Sequence, residues 1–225
     1  DGSQYSDFAI LYRTNNQSRA LEEALRRRNI PYMIYSGNSF YERAEVKDMM
    51  AYLKLVVNPL DEESFKRVVN KPARGIGDTS LEALDKAARA HQTCLFKAAW
   101  LEDLESFGLK AAAIARIKAF CEMINRFAAD AFRCNAEELA LRIADESGYR
   151  TALAADTSIA GMARKANVEE LLDSISIYVE ERTSEAQENG EDEPDITLSD
   201  YLENVSLLAN ADTDEGDDSN RVSLM

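Results

Sequence analysis

The sequence predicts a mainly α-helical protein in which a helical domain is inserted into a partial α/β domain. Two short apolar runs, separated by a helical segment, lie near the start of the 225-residue chain. A long stretch of helical periodicity follows, and the end of the chain returns to a strand-like pattern. Because short apolar runs that alternate with a helix are typical of parallel sheets, both ends of the chain are assigned to one α/β domain.

The α/β part is predicted from three apolar runs and one helix. Residues 8–12 (FAILY) suit a buried strand, and residues 32–35 (YMIY) suit a second one. Residues 16–28 between them are predicted to be helical, with arginines at the C-terminal end, where the helix dipole favours positive charge. Pro31 then ends the helix. Residues 221–225 (RVSLM) give a third strand-like run.

Helical periodicity covers the middle of the chain. Apolar residues recur at helical spacing in segments 44–57, 62–70, 79–90, 94–104, 109–132, 136–147, 159–182 and 197–209. We therefore assign residues 41–218 to the inserted helical domain. Residues 1–40 and 219–225 are assigned to the α/β domain.

The net charge of −15 arises mainly from one segment. Residues 180–218 hold fifteen acidic residues and a single basic residue, Arg182. Within this segment, residues 183–195 and 210–220 lack apolar periodicity and are predicted to be solvated, mobile loops. Because the acidic charge is confined to one part of the chain, it does not exclude a nucleic-acid-binding face elsewhere.

Composition excludes several classes of protein. No uncharged apolar run approaches the roughly 20 residues that span a bilayer, and the N-terminus lacks a signal-peptide pattern, which favours a cytoplasmic protein. We expect no metal site, since Cys94, Cys121, Cys134 and His91 lack metal-ligand spacing; the cysteines are expected to pack and His91 to cap a helix. The chain has no P-loop, GxSxG or HExxH motif, so no enzymatic activity of its own is expected. Its start at Asp1 and its end within an apolar run indicate a segment of a longer protein.

The first candidate site is the end of the first predicted strand. Tyr12 and Arg13 stand there, before a polar turn that leads into a helix. Open α/β sheets bind ligands at the carboxyl ends of their strands. A tyrosine ring can stack on a base, and the fork of an arginine suits phosphate charge. The alternative is an ordinary edge tyrosine and a surface arginine.

The second candidate site is a glycine-containing turn. Gly75 and Gly77 flank Ile76 and allow a tight turn with exposed amides, and Thr79 and Glu82 have the spacing of a capping box that starts a helix. Four cations precede or enter the turn: Lys66, Arg67, Lys71 and Arg74. Exposed amides, a positive helix end and cations together suit phosphate without regard to sequence. The turn is similar to the hairpin of DNA-gripping helix-hairpin-helix modules, and a purely structural interhelical turn is the alternative.

Three segments resemble consecutive segments of the UvrD/PcrA/Rep family of superfamily 1 DNA helicases. They are FAILYRTNNQSRALEEAL (8–25), IPYMIYSGNSFYERAEVKDMMAYLKL (30–55) and VVNKPARGIGDTSLEAL (68–84). SGYRTAL (147–153) and the late acidic stretch also fit that family. The resemblance covers essentially the whole chain in the family's order. It implies that residues 1–40 and 219–225 belong to the second RecA-like domain, 2A, and that residues 41–218 form the inserted helical domain, 2B.

The resemblance implies a role in ATP hydrolysis for the first site. Tyr12 would stack on the adenine of ATP, and Arg13 would contact the γ-phosphate and stabilise charge during hydrolysis, as an arginine finger does. ATP and Mg²⁺ are thus the implied cofactors of the longer protein. None is expected on this segment alone, which would be inactive, because the Walker A and B motifs would lie upstream and further 2A motifs downstream.

The resemblance also implies DNA-binding residues in 2B. Gly75, Ile76 and Gly77 would form the duplex-gripping turn, with Arg74, Asp78 and Thr79 beside it, and the DNA-binding residues would be Arg74, Gly75, Ile76, Gly77 and Thr79. In the segment FYERAEVKD (40–48), Arg43 and Lys47 would lie on the DNA side or at a domain interface, and a helix-capping role is the alternative.

The implied function is ATP-dependent 3′-to-5′ unwinding of DNA in the bacterial cytoplasm, in repair or replication. Duplex DNA would be held by 2B, and single-stranded DNA by the motor domains of the longer protein. Two alternatives remain open: a subunit of a helicase–nuclease, and a stand-alone DNA-binding or interaction module without a motor. No membrane partner is expected.

Overall fold

The computed structural model describes residues 4–12, 18–28, 30–34, 40–190, 194–211 and 220–224. The chain divides into two compact units, Asp1–Lys47 together with Leu202–Met225, and Asp48–Tyr201. The first, the α/β unit, carries the sheet, and the second, the helical unit, is built from helices. The division falls within two helices, so the limits of the inserted domain at 41 and 218 stay a prediction.

The α/β unit contains a parallel sheet in which the last strand lies between the first two. Its elements are β1 (Ala9–Ile10), α1 (Ser18–Arg27), β2 (Tyr32–Ile34) and β3 (Val222–Leu224). The strand order is β1-β3-β2, and Ser223 pairs with both Ala9 and Met33. This central position buries Val222 and Leu224. The predicted strand, helix and strand with a returning third strand are therefore confirmed.

The remaining helices follow the predicted periodicity closely. They are α2 (Ala44–Val57), α3 (Glu62–Val68), α4 (Asp78–Ala90), α5 (Leu95–Ala98), α6 (Ala111–Asp130), α7 (Ala136–Glu146), α8 (Tyr149–Ala154), α9 (Ile159–Glu188) and α10 (Leu198–Ala211). α2 has the predicted bounds, and its apolar residues Val46, Met49 and Leu53 are fully buried. None of the described helices is long and apolar enough to cross a membrane.

Aromatic rings occupy the centre of the helical unit. Phe65 of α3 meets Phe120 of α6 edge to face with 5.6 Å between ring centroids, and Tyr52 of α2 lies 6.4 Å from Phe120. All three side chains are buried, and rings in such contacts add to the stability gained by burial. The cluster holds α2, α3 and α6 behind the turn that joins α3 to α4.

Helix α9 extends beyond the predicted start of the acidic loop. Residues 183–195 are predicted to be a loop, whereas α9 continues to Glu188. Ala186 is buried and continues the apolar face of the helix, which explains the extension. Similarly, α10 continues to Ala211, into the second predicted loop; residues 191–193 and 212–219 lie outside the described residues.

Two shorter segments also differ from the periodicity. Segment 94–104 is predicted as one helix but forms α5 and a separate 3₁₀ turn at Leu104–Phe107. The amide of Leu101 donates to the carbonyl of Ala98 at 3.0 Å, a tight turn that ends the α-helical pattern. Helix α8 is not predicted, because its six residues are too short to show a period.

Candidate nucleic-acid interface

The turn from Lys71 to Gly77, called here the glycine turn, joins α3 to α4 and is fixed from inside. The side-chain carbonyl of Asn70 accepts hydrogen bonds from the amides of Arg74 (2.7 Å) and Ile76 (3.1 Å). The side chain of Ile76 is 1% exposed and anchors the turn in the core. The backbone of the turn is therefore held in one conformation by contacts on its inner side.

Arg74 points inward and closes the turn rather than facing solvent. Its guanidinium donates to the Tyr52 hydroxyl at 2.7 Å and to the Ser147 carbonyl at 2.8 Å. Its other acceptors are the carbonyls of Val68 (3.2 Å), Val69 (3.4 Å), Lys71 (2.9 Å) and Pro72 (3.2 Å). These hydrogen bonds engage both terminal nitrogens of Arg74 and tie the end of α3 to the turn, and a phosphate contact by Arg74 stays a prediction.

Tyr52 supports Arg74 from the core. Its ring lies 5.9 Å below the guanidinium carbon, and its hydroxyl donates to the carbonyl of Lys71. Burial raises the pKa of the Tyr52 hydroxyl to about 12, although the nearby Arg74 charge acts in the opposite direction. Tyr52 thus stays neutral and keeps its proton for the Lys71 carbonyl.

The outer side of the glycine turn presents amides to solvent. Gly75, Gly77, Asp78 and Thr79 are exposed, and within the described part of the chain their backbone N–H groups have no protein acceptor. Gly77 is the N-cap of α4, and the helix begins at Asp78. The predicted capping box at Thr79 does not form for this reason, since Thr79 is already the second residue of the helix. The amides of Asp78 and Thr79 lie in the first turn of α4, at the positive end of its dipole.

The cations predicted to flank the turn are paired with carboxylates. Lys66 contacts Asp85 at 3.1 Å. Arg67 and Lys71 both contact Asp48, at 2.7 and 3.0 Å. Their charge is thereby largely compensated within the protein, so the positive field at the turn is weaker than the sequence suggests.

A cation that the sequence analysis missed lies against the turn. Nη1 of Arg116, in α6, donates to the carbonyl of Gly75 at 3.0 Å. Arg116 is 41 residues away in sequence, and nothing in the local pattern of α6 marks it. The available signal was the glycine at position 75, because glycine occurs where a turn needs a left-handed residue, as here with φ of +70°, or where another group approaches the backbone closely.

Residues 1–225 match the protein family described as the UvrD-like helicase C-terminal domain. The chain belongs to this family. It is 35% identical over 224 residues to the ATP-dependent DNA helicase PcrA of Staphylococcus epidermidis, and 33% identical over 225 residues to the protein of that name from Staphylococcus aureus. These matches cover 100% of this chain and 29% of each relative, so the chain spans less than a third of their length.

The other two predicted DNA-side residues of this UvrD-like chain, Arg43 and Lys47, lie in the α/β unit. The guanidinium carbon of Arg43 lies 5.2 Å from the ring centroid of Phe40, and Lys47 forms an ion pair with Glu42. Both contacts tie the 3₁₀ turn at 40–42 to the start of α2, which fits the structural alternative for these residues. A DNA-side role for Arg43 and Lys47 stays a prediction.

The predicted nucleotide site of the UvrD-like domain is described only in part. Tyr12 is half-buried and follows the carboxyl end of β1, beside the central strand β3. Open α/β sheets bind ligands at such a position, and a nucleotide contact by Tyr12 stays a prediction. Arg13 lies outside the described residues.

The single histidine and the cysteines have structural roles in the UvrD-like fold. His91 is the C-cap residue of α4, as predicted, and its Nε2 lies 2.9 Å from a carboxylate oxygen of Asp103. Cys121 is buried, whereas Cys94 and Cys134 are half-buried. Burial raises the pKa of the Cys121 thiol to about 12, which removes it as a nucleophile.

Proposed function

We propose that this chain is part of an ATP-dependent DNA helicase that moves 3′ to 5′, and that its helical unit holds the backbone of duplex DNA at the glycine turn. The observation that carries the duplex assignment is the set of exposed amides at Gly75, Gly77, Asp78 and Thr79. Amides that converge at a helix N-terminus suit phosphate oxygens. Because such donors do not read base edges, the contact is independent of sequence, as unwinding of any DNA requires.

Rigidity of the turn supports this proposal. The inner contacts of Asn70 and Arg74 fix the backbone before any ligand arrives. A binding site that is ordered in advance loses little conformational entropy when it binds. Four amides can therefore contribute to affinity although the surrounding surface carries few uncompensated cations.

The α/β unit is proposed to form part of the ATP site of the full-length protein. Tyr12 would stack on adenine, and Arg13 would stabilise the charge that develops on the γ-phosphate. The Mg²⁺ and the remaining phosphate contacts would come from segments outside these 225 residues, which contain no P-loop. We propose that this segment by itself hydrolyses no ATP, and that the full-length protein acts in the bacterial cytoplasm.

Two substitutions in the full-length protein separate these roles. Gly77→Val places a side chain over the amides; a Cβ at Gly77 meets nothing within 4 Å, so the fold should tolerate it. We expect affinity for blunt duplex to fall roughly tenfold, with ATP hydrolysis stimulated by single-stranded DNA unchanged. Arg13→Ala should do the reverse and lower ATP turnover by roughly a thousandfold while single-strand binding persists.

The two variants are measured side by side by fluorescence anisotropy and steady-state ATP hydrolysis. Loss of both activities in Gly77→Val would argue against the duplex assignment of the turn. Normal ATP turnover in Arg13→Ala would remove the role given to Arg13.

A further inference from the structure

Arg116 combines an exposed guanidinium with a position directly against the glycine turn. We infer that Arg116 is a cation that contacts the DNA phosphate held by the amides of Gly75 and Gly77. This inference rests on the proposed duplex binding and adds a residue from α6 to it. None of the cations that precede the turn in sequence is as free to take this role.

Comparison with those cations supports the assignment. Lys66 is engaged with Asp85, Lys71 with Asp48, and the donors of Arg74 with backbone carbonyls. Arg116 is exposed, and none of the described carboxylates forms an ion pair with it. Its charge is thus available to an anion that arrives from solvent.

The glycine at position 75 fits a close approach of this guanidinium. A Cβ at Gly75 would lie 2.8 Å from Nη1 of Arg116, which is too close, and 3.1 Å from the guanidinium carbon, which is a tight contact. Any side chain at this position would displace Arg116 from the turn. The absence of a side chain therefore places the cation within contact distance of the exposed backbone.

The chemistry of the guanidinium suits a phosphate at this place. A guanidinium has five N–H donors, and the described contact to the Gly75 carbonyl uses one of them. That contact orients the planar group, and the remaining donors can bind two phosphate oxygens at once. Arg116 and the turn amides would then neutralise and bind the same phosphate group from two sides.

The test compares Arg116→Gln, Arg116→Lys and Arg126→Gln in the full-length protein. Arg126 lies on α6 and is also exposed, ten residues further along, so its substitution is a charge-matched control. Affinities for blunt duplex and for a single-stranded oligonucleotide are measured by anisotropy, without nucleotide, over a series of salt concentrations. Thermal unfolding checks that each variant folds.

We expect Arg116→Gln to weaken duplex binding roughly five- to tenfold and to reduce the slope of log K against log salt by about 0.9, the value for one phosphate contact. Arg116→Lys should keep the wild-type slope of log K against log salt, because lysine carries the same charge. Arg126→Gln should change neither quantity, and single-strand affinity should be the same in all variants.

Three results would overturn the inference, and they are distinguishable. Weaker duplex binding by Arg116→Gln with an unchanged salt slope would show that Arg116 only supports the turn. Wild-type behaviour of Arg116→Gln, with Gly77→Val still impaired, would exclude Arg116 while the proposed function stands. If Gly77→Val and Arg116→Gln each bound duplex DNA as well as wild type, the role of Arg116 and the proposed duplex binding at the turn would both be excluded.

Discussion

The guanidinium of Arg74 and the hydroxyl of Tyr52 lie 2.7 Å apart at the centre of the helical unit, and this hydrogen bond joins the glycine turn to the aromatic core. Tyr52 in turn donates to the backbone of Lys71, at the start of the turn. The conformation of the exposed glycine turn is thus tied to a fully buried tyrosine. Substitutions in the core are expected to change the turn and stability together.

Tyr52→Phe should lower the free energy of unfolding by about 1 to 3 kcal/mol. The ring packing is kept, but Arg74 loses the hydroxyl as an acceptor and the Lys71 carbonyl retains only its hydrogen bond from Arg74, so two part-buried hydrogen bonds are lost. Tyr5→Phe is the control, because Tyr5 is 41% exposed. Urea unfolding of the three proteins measures the difference. Equal stability of Tyr52→Phe and wild type would mean that water replaces the lost hydroxyl.

Stability should also fall with rising pH above about 10, in a manner that depends on Tyr52. The pKa of Tyr52 rises from 10.0 to about 12 on folding because burial disfavours the phenolate. The contribution of Tyr52 to the free energy of unfolding is therefore fully present below pH 10 and is lost as the pH rises through about 12. The loss amounts to at most about 2 to 3 kcal/mol. Urea midpoints measured from pH 9 to pH 12 should decline less steeply in Tyr52→Phe. Parallel curves would contradict the raised pKa.

The two glycines of the turn should respond differently to alanine. Gly75→Ala should destabilise the protein by about 1 to 2 kcal/mol, since Gly75 has φ of +70° and its Cβ would collide with Arg116. Gly77→Ala should remain within about 0.5 kcal/mol of wild type, because Gly77 has φ of −86° and open space around its Cβ. Thermal unfolding distinguishes the pair. A larger loss at Gly77 than at Gly75 would refute this order.

Asp48→Asn should lower the free energy of unfolding more than Asp85→Asn, although both substitutions remove one negative charge. The Asp48 side chain is 8% exposed and receives Arg67, Lys71 and the hydroxyl of Tyr149 at 3.1 Å. Loss of the buried carboxylate leaves these donors poorly compensated. We expect the free energy of unfolding to fall by about 1 to 3 kcal/mol. Asp85 pairs at the surface, where the loss should stay below about 1 kcal/mol. Chemical denaturation tests both, and similar losses would show that burial of Asp48 is unimportant.

The architecture could be predicted from the sequence because its signals are local. Apolar spacing in residues 44–57 defines α2 to the residue, and the short runs at both ends define the strands. The acidic residues after Arg182 led to the prediction of a loop from residue 183. The helix α9 instead continues to Glu188, because Ala186 is buried on its apolar face. Tertiary burial outweighs a local polar pattern in such a segment.

The turn between α3 and α4 could be located from the sequence, but the pairing of the charges around it could not be predicted. The two glycines mark the turn, because their conformational freedom is a property of single residues. The orientation of Arg74 depends on the carbonyl of Ser147, 73 residues away, and the position of Arg116 depends on how α6 packs. Counting nearby cations cannot show which of them are already paired with a carboxylate such as Asp48.

The placement of β3 between β1 and β2 has a consequence for synthesis of the chain on the ribosome. Both outer strands emerge early, yet neither is paired with the other, and their shared partner at 222–224 is made only after the entire helical unit. The α/β unit is therefore begun first but can close its sheet only last. Prior folding of the helical unit would replace most of the long flexible loop between β2 and β3 with ordered chain and reduce the entropy lost on closure. A nascent chain whose helical unit has left the ribosome before residues 222–224 emerge should thus carry a protease-resistant helical unit preceded by a segment that is still cleavable.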